Sequence, residues 1–79
     1  MVILRNNIYY HIDDFVPINN AIDFILNQKD INITDDRGWT MLHWSCDRKD
    51  GLPLVELLLY LGIDKDRKNN ANQTALEIA

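Results

Sequence analysis

The sequence predicts an all-α fold built from repeated helix–turn–helix units that are joined by short protruding β-turns. Two observations lead to this prediction. The segment DDRGWTML at 35–42 returns as NNANQTAL at 69–76, and this spacing of 34 residues is typical of helical repeats. The segments between these turns place apolar residues three and four positions apart, which is the spacing of one face of an α-helix.

Length and composition indicate one small domain, residues 1–79. Of these residues 47% are hydrophobic, and a domain of this size has a core of marginal stability. A single cysteine excludes an internal disulfide, so regular helix packing, a metal or a second copy has to supply stability. The longest apolar run, LPLVELLLYLGI, is interrupted by Glu56 and is too short to span a membrane. We therefore expect an intracellular, cytoplasmic protein.

The charge of the chain argues against nucleic acid and membrane surfaces as partners. The net charge is −4, whereas proteins that bind phosphate-rich surfaces present basic ones. The rings of Tyr9 and Tyr10 could stack on bases, but Arg5 alone offers too little positive charge beside them. We predict that both tyrosines pack within the first unit.

The first predicted unit, 1–33, is the least regular. Its first helix is predicted within LRNNIYYHID at 4–13, and its second covers 17–28, with Pro17 at the start. An irregular terminal unit is expected, because one of its faces meets solvent instead of a neighbour. The apolar stripe of the second helix consists of Ile18, Ala21, Ile22, Ile25 and Leu26.

The middle unit, 34–67, carries the clearest helical signals. The segments TMLHWSCD at 40–47 and LPLVELLLYL at 52–61 flank a short loop, RKDG. Pro53 stands near the start of the second segment and Gly62 follows its end, and both are preferred positions for these residues. The apolar stripe of the second segment consists of Leu54, Leu57, Leu58 and Leu61.

The turns that open the middle unit and the third unit, 68–79, use the same chemistry. Asp35 precedes Gly38 by three residues, and Asn69 precedes Asn72 by three. An Asp or Asn side chain accepts a hydrogen bond from the backbone two residues further on, and Gly or Asn tolerates a positive φ. We therefore predict the same turn twice.

The sequence of the middle unit resembles the ankyrin repeat. Residues 35–46 read D-x-x-G-x-T-x-L-H-x-S-C and residues 54–64 read L-V-E-L-L-L-x-x-G-I-D. Met41 and Ala75 stand where that family has proline, and one residue is inserted near 49–51. The resemblance is weak before residue 29, where Gln28 replaces a terminal glycine. It implies an α-solenoid divided at 1–33, 34–67 and 68–79, and a non-catalytic protein-interaction module.

A narrower resemblance concerns LHWSCDR after INITDDRG. This text is similar to the ankyrin segment of some acyl-CoA-binding-domain proteins. It implies an alternative function, that of an accessory region in a larger protein of lipid metabolism. The acyl-CoA site of such proteins lies in a separate domain, so no ligand-binding residue can be assigned to this chain.

The stretch HWSCD at 43–47 combines residue types that also serve in catalysis and metal binding. Thr40 is expected to cap the helix that follows it, with His43 facing back toward it, and Thr74 with Glu77 forms a capping-box sequence at the equivalent place. We therefore predict that His43 is structural.

Ser45 and Cys46 stand where the ankyrin family prefers small residues. A zinc site would need His43, Cys46, His11 and a carboxylate, and a catalytic Cys–His pair would need a third orienting group. We predict neither, and therefore no catalytic residue, no metal and no cofactor.

In ankyrin proteins the turns project as fingers beside the inner helices and form a concave surface that binds other proteins. Trp39 and Arg37 stand out in this chain, because these residue types often dominate binding energy. Alternatively, Trp39 lies over the adjacent finger. Trp44 is predicted to be buried between repeats. The candidate contacts carried over by position are Asp36, Arg37, Trp39, Asp47, Arg48, Asn70, Ala71 and Gln73.

The third unit stops within its first helix, at TALEIA. Leu76, Ile78 and Ala79 then have no following helix to pack on, and about three units are needed to bury a continuous core. We expect that the chain is a piece of a longer protein, or that it covers this open C-terminal end by self-association with a second copy.

Overall fold

The computed structural model describes residues 8–78, apart from the side chains of Tyr9 and Tyr10. The prediction of a helix at 4–13 therefore lies partly outside the described residues, and the packing of the two tyrosine rings lies wholly outside them. Between residues 8 and 78 the helices are α1 (Tyr9–Ile12), α2 (Ile18–Leu26), α3 (Met41–Asp47), α4 (Leu52–Tyr60) and α5 (Ala75–Ile78).

The helices form two layers of stacked hairpins. α1 packs on α2 and α3 packs on α4, so each pair is one helix–turn–helix unit. α3 also contacts α1 and α5, while α2 contacts α4, so like helices of successive units lie side by side. Residues 8–78 contain no β-strand, and one isolated bridge joins Thr34 to Thr40. The predicted all-α solenoid is confirmed.

The ends of the helices follow from the local sequence. The N–H of Gly62, at φ 88°, donates to the carbonyl of Leu59 (3.1 Å), and that of Ile63 donates to Leu58 (3.1 Å). These two bonds form a Schellman motif, which closes α4. α2 lacks such a glycine. Instead, the side-chain amides of Asn27 and Gln28 donate to carbonyls of its last turn. These amides supply the hydrogen bonds that a glycine turn supplies at the end of α4.

The core consists of the inward faces of all the helices and the turns that follow them. In the predicted stripe of α4, Leu54 and Leu58 are fully buried and Leu57 is half-buried, but Leu61 lies exposed beyond the end of the helix. In α2, Leu26 is likewise exposed. The fully buried apolar side chains are Ile8, Ile12, Ala21, Ile25, Met41, Leu42, Leu54, Leu58 and Ala75.

The loops 30–40 and 64–74, which we call the first and second fingers, contain the predicted turn twice. Gly38 N–H donates to the carbonyl of Asp35 (3.0 Å), and Asn72 N–H donates to that of Asn69 (2.9 Å). In both turns the first side chain accepts hydrogen bonds from the backbone N–H groups two and four residues further on. Gly38 and Asn72 have φ values of 76° and 64°. The prediction of one shared turn is confirmed.

Arg48 differs from its prediction as an exposed contact residue. The residue is only 6% exposed, and its guanidinium donates to the main-chain carbonyls of Ile12 (3.1 Å), Asp13 (3.3 Å) and Val16 (2.6 Å). It also forms an ion pair with Asp50. These carbonyls belong to the end of α1, where helix geometry leaves carbonyls without an intrahelical partner, and to the loop before α2. Arg48 therefore joins the middle unit to the first unit, and its exposure was predicted wrongly.

We expect Gly51→Ala to lower the free energy of unfolding by about 3 kcal/mol. A Cβ at this position would lie 1.8 Å from the carbonyl oxygen of Ser45, so the loop would have to move. The matched control is Gly62→Ala, which meets no atom within 4 Å and carries only the cost of its positive φ, about 1 kcal/mol. Urea unfolding followed by circular dichroism measures both. Equal losses in the two variants would contradict a steric role for Gly51.

The ion pair of Arg48 predicts a pH dependence of stability. The hydrogen bond from Arg48 lowers the pKa of Asp50 below its ordinary value. Because the folded pKa is depressed, this stabilisation is present above the unfolded pKa, about 3.9, and is lost as the pH falls through the folded pKa. We expect Asp50→Asn to have a lower Tm than the native chain at pH 7, and the difference to shrink below about pH 4. A difference that is constant between pH 7 and pH 3 would contradict this origin.

Candidate functional site

The candidate site is built around Asp35, which fixes the first finger to α3. One carboxylate oxygen, Oδ1, accepts the backbone N–H groups of Arg37 and Trp39, both at 2.9 Å. The other oxygen, Oδ2, accepts the indole N–H of Trp44 at 2.9 Å. The sequence identified Asp35 only as a turn residue. The signal for its second role is the buried indole, which needs an acceptor.

Two indole rings and a guanidinium lie together where the first finger meets α3. The ring centroids of Trp39 and Trp44 are 4.7 Å apart. The Cζ atom of Arg37 lies 5.3 Å from the first centroid and 5.5 Å from the second, within the range of cation–π attraction. Trp44 is 5% exposed, so its predicted burial is confirmed. The half-buried ring of Trp39 packs on Trp44 and His43 of its own unit.

His43 connects the start of α3 to the second finger. Its Nδ1 accepts the backbone N–H of Thr40 (3.1 Å), and its own N–H donates to the Thr40 hydroxyl (3.3 Å). Its Nε2 lies 2.9 Å from the carbonyl of Gln73. Because an N–H can only donate and a carbonyl can only accept, the ring carries its hydrogen on Nε2. The imidazole is 1% exposed and both of its nitrogens are used, which supports the predicted structural role.

The equivalent position of the third unit is held in a related way. The carboxylate of Glu77 accepts the backbone N–H of Thr74 (2.7 Å), and this bond lowers the pKa of Glu77. The N–H of Glu77 donates to the Thr74 carbonyl (3.2 Å). The side chain of Glu77 thus performs its half of the predicted capping box.

The other side chains that could serve in catalysis or metal binding are hydrogen-bonded, protonated or packed on a ring. The hydroxyl of Ser45 is buried and donates to the carbonyl of Met41 (2.8 Å). Burial raises the pKa of the Cys46 thiol, which disfavours the nucleophilic thiolate. The ring of His11 stacks on Phe24 at 4.2 Å. Within residues 8–78, no group of three or more His, Cys, Asp or Glu side chains is arranged to hold a metal ion.

The two fingers are joined directly through Asn70. Its backbone N–H donates to the carbonyl of Arg37 (2.9 Å), and its side-chain amide donates to that of Asp36 (3.2 Å). A second connection runs from the N–H of Asp64 to the side chain of Asn32 (2.9 Å), a contact that the sequence analysis did not identify. Hydrogen bonds between successive fingers therefore fix their relative positions.

Comparison with known proteins agrees with this architecture. A family model described as ankyrin repeats (3 copies) matches residues 16–79. This chain belongs to the ankyrin repeat family. It is also 28% identical over 60 residues to ankyrin repeat protein FPV245 of fowlpox virus (strain NVSL), a match that covers 76% of this chain and 14% of the viral protein. The narrower resemblance to acyl-CoA-binding-domain proteins is not shown by either match.

Ankyrin repeats generally mediate protein–protein interaction, so the exposure of each candidate contact matters. Trp39 is half-buried, and Arg48 is buried as described above. Part of Gln73 is engaged, since its carbonyl lies against His43 and its side-chain oxygen accepts from Asn69. The candidate contacts that lie exposed are Asp36, Arg37, Asp47, Asn70, Ala71 and Gln73.

None of the helices between residues 8 and 78 is long and apolar enough to cross a membrane.

We expect His43→Ala to lower the free energy of unfolding of this ankyrin domain by about 2–3 kcal/mol. The substitution leaves the buried N–H of Thr40 without its acceptor and removes the bond to the Gln73 carbonyl, whereas the backbone N–H of residue 43 still donates to the Thr40 hydroxyl. His11→Ala is the matched control, because His11 is exposed and loses only a ring contact, worth about 1 kcal/mol. Urea unfolding measures both variants. A His43→Ala chain as stable as the native chain would contradict the structural assignment.

Proposed function

We propose that this ankyrin repeat protein is a non-catalytic interaction module that binds a partner protein through a concave surface formed by its fingers and α3. The observation that carries the proposal is the cluster of Arg37, Trp39 and Trp44. It combines the exposed guanidinium of Arg37 with the half-buried ring of Trp39 on a fixed loop, and both lie against the buried ring of Trp44. Residues of these types contribute most to many protein interfaces.

The rigidity of the fingers supports this proposal. The backbone at Arg37 is held by its N–H bond to Asp35 and by the bond that its carbonyl accepts from Asn70. A partner that binds here does not have to order the loop, so less conformational entropy is lost on association.

The engaged state of the reactive side chains supports a non-catalytic role. The side-chain polar atoms of His43 and Ser45 form hydrogen bonds within the fold. The raised pKa of Cys46 disfavours its thiolate. Nucleophilic catalysis requires an activated nucleophile next to a free base, and this cluster provides neither. A cytoplasmic location remains a prediction.

Self-association is a second possibility, favoured by the surface next to α5. Leu52 and Leu76, each 67% exposed, line a groove of about 260 Å³ together with Val55 and Cys46. Exposed apolar surface of this kind is typical of contact regions. Another copy of this chain and the next unit of a longer protein would both bury it.

A binding experiment with matched variants tests the main proposal. Proteins captured on the purified chain would be identified, and the affinity of each would be measured directly with Arg37→Ala, Trp39→Ala and Asp47→Lys chains. We expect each variant to have a lower affinity for the partner, and we expect the Kd to rise at least about tenfold for Arg37→Ala and Trp39→Ala. Tyr60→Ala is the control, because Tyr60 is 87% exposed and belongs to α4, so it is part of neither the fingers nor α3.

Stability has to be measured in parallel, because the ring of Trp39 packs on α3. A variant that weakens binding without lowering Tm assigns its residue to the interface. Partners that are lost with Tyr60→Ala and kept with the other three variants would show that the outer helices form the binding surface, and would contradict the proposal.

A further inference from the structure

We propose that the concave surface recognises an acidic side chain of the partner protein, through the guanidinium of Arg37. This inference rests on the proposed function and specifies the chemistry of the partner. It follows from how Arg37 is held, from which of its atoms remain available, and from the charges around it.

Arg37 is positioned before any partner arrives. Both polar groups of its backbone are hydrogen-bonded, to Asp35 and to Asn70. Its guanidinium lies within 5.5 Å of the ring centroids of Trp39 and Trp44. Contact with two rings restricts an otherwise flexible side chain, so little further entropy is lost when the guanidinium binds.

The hydrogen-bond donors of this guanidinium remain available. Within residues 8–78 its five N–H groups donate to no protein acceptor, and the side chain is exposed. The nearby carboxylate of Asp35 accepts the indole N–H of Trp44 and two backbone N–H groups instead. A planar guanidinium with free donors is suited to a planar acceptor that takes two parallel hydrogen bonds, as a carboxylate does.

Other cations of the described chain lack this arrangement. Arg48 is buried and its donors are taken by main-chain carbonyls. Lys65 is exposed and pairs with Asp66 at 3.7 Å. The position of Arg37 in the second finger is occupied by Ala71. The stacked guanidinium is therefore a particular feature of the first finger.

The surrounding charges favour a carboxylate over a phosphate. Asp36 is exposed next to Arg37, and Asp47 is exposed one helical turn beyond Trp44. A phosphorylated side chain brings a charge of about −1.5 to −2 toward these carboxylates, whereas an Asp or Glu brings −1. The same two aspartates favour basic residues beside the acidic one. The partner segment is therefore an Asp or Glu flanked by Lys or Arg.

Selection from a library of random peptides tests this inference on the whole chain. Trp39 and Trp44 are the only tryptophans of the sequence, so a change in intrinsic fluorescence reports binding at this site. We expect the selected peptides to contain an acidic residue beside a basic one and to change this fluorescence. Arg37→Gln should lower the affinity for these peptides about tenfold or more. Arg37→Lys should also lower it, because lysine cannot form two parallel hydrogen bonds to a carboxylate. Arg67→Gln, which removes an exposed cation of the second finger, should have no effect.

The outcomes separate this inference from the proposed function. Peptides that change the fluorescence but lack an acidic residue, or that bind Arg37→Gln equally well, would overturn the inference and leave the concave surface as the binding site. A peptide that binds more tightly after its acidic residue is replaced by phosphoserine would overturn the choice of carboxylate. Peptides that are lost only with Tyr60→Ala, or a selection that yields no binder, would contradict both proposals.

Discussion

The stack depends on buried side chains of the middle unit that bond to the main chain of its neighbours. The imidazole of His43 bonds to the start of its own helix on one side and to the carbonyl of Gln73 on the other. At the opposite interface, the guanidinium of Arg48 covers three carbonyls of the first unit. Units of this length cannot bury their apolar faces alone, so such bonds fix the register in which neighbouring cores meet.

The need to hydrogen-bond buried polar groups also explains why the His, Ser and Cys side chains of α3 do not form a catalytic site. A buried polar group without a partner costs free energy, and every buried nitrogen and oxygen of the side chains that the structure describes has one. The polar atoms of Thr40, His43 and Ser45 are engaged in this way. Most of the exposed candidate contacts, by contrast, lie on the fingers, which hydrogen bonds hold to each other and to α3.

Local sequence was sufficient for the parts of the fold that depend on neighbouring residues. The Asp35 and Asn69 turns, the Thr40 cap and the end of α4 at Gly62 all form within a few residues, so the sequence predicted them correctly. The repeat spacing then predicted which elements recur, and the burial of Trp44 followed from its place on the inner helix.

Tertiary structure decided the features that join distant parts of the chain. Arg48 ends a short helix, where a charged residue is usually exposed, and only the folded chain brings the carbonyls of residues 12, 13 and 16 to it. The pairing of Asp35 with the Trp44 indole, and the position of Arg37 over two rings, likewise depend on how the finger lies on α3. The sequence by itself determined the repeated unit and its turns, because those follow from short-range hydrogen bonding and helical periodicity. The burial of Arg48 and the bond of His43 to the second finger were decided by contacts between residues 30 or more positions apart, because one-dimensional spacing does not encode them.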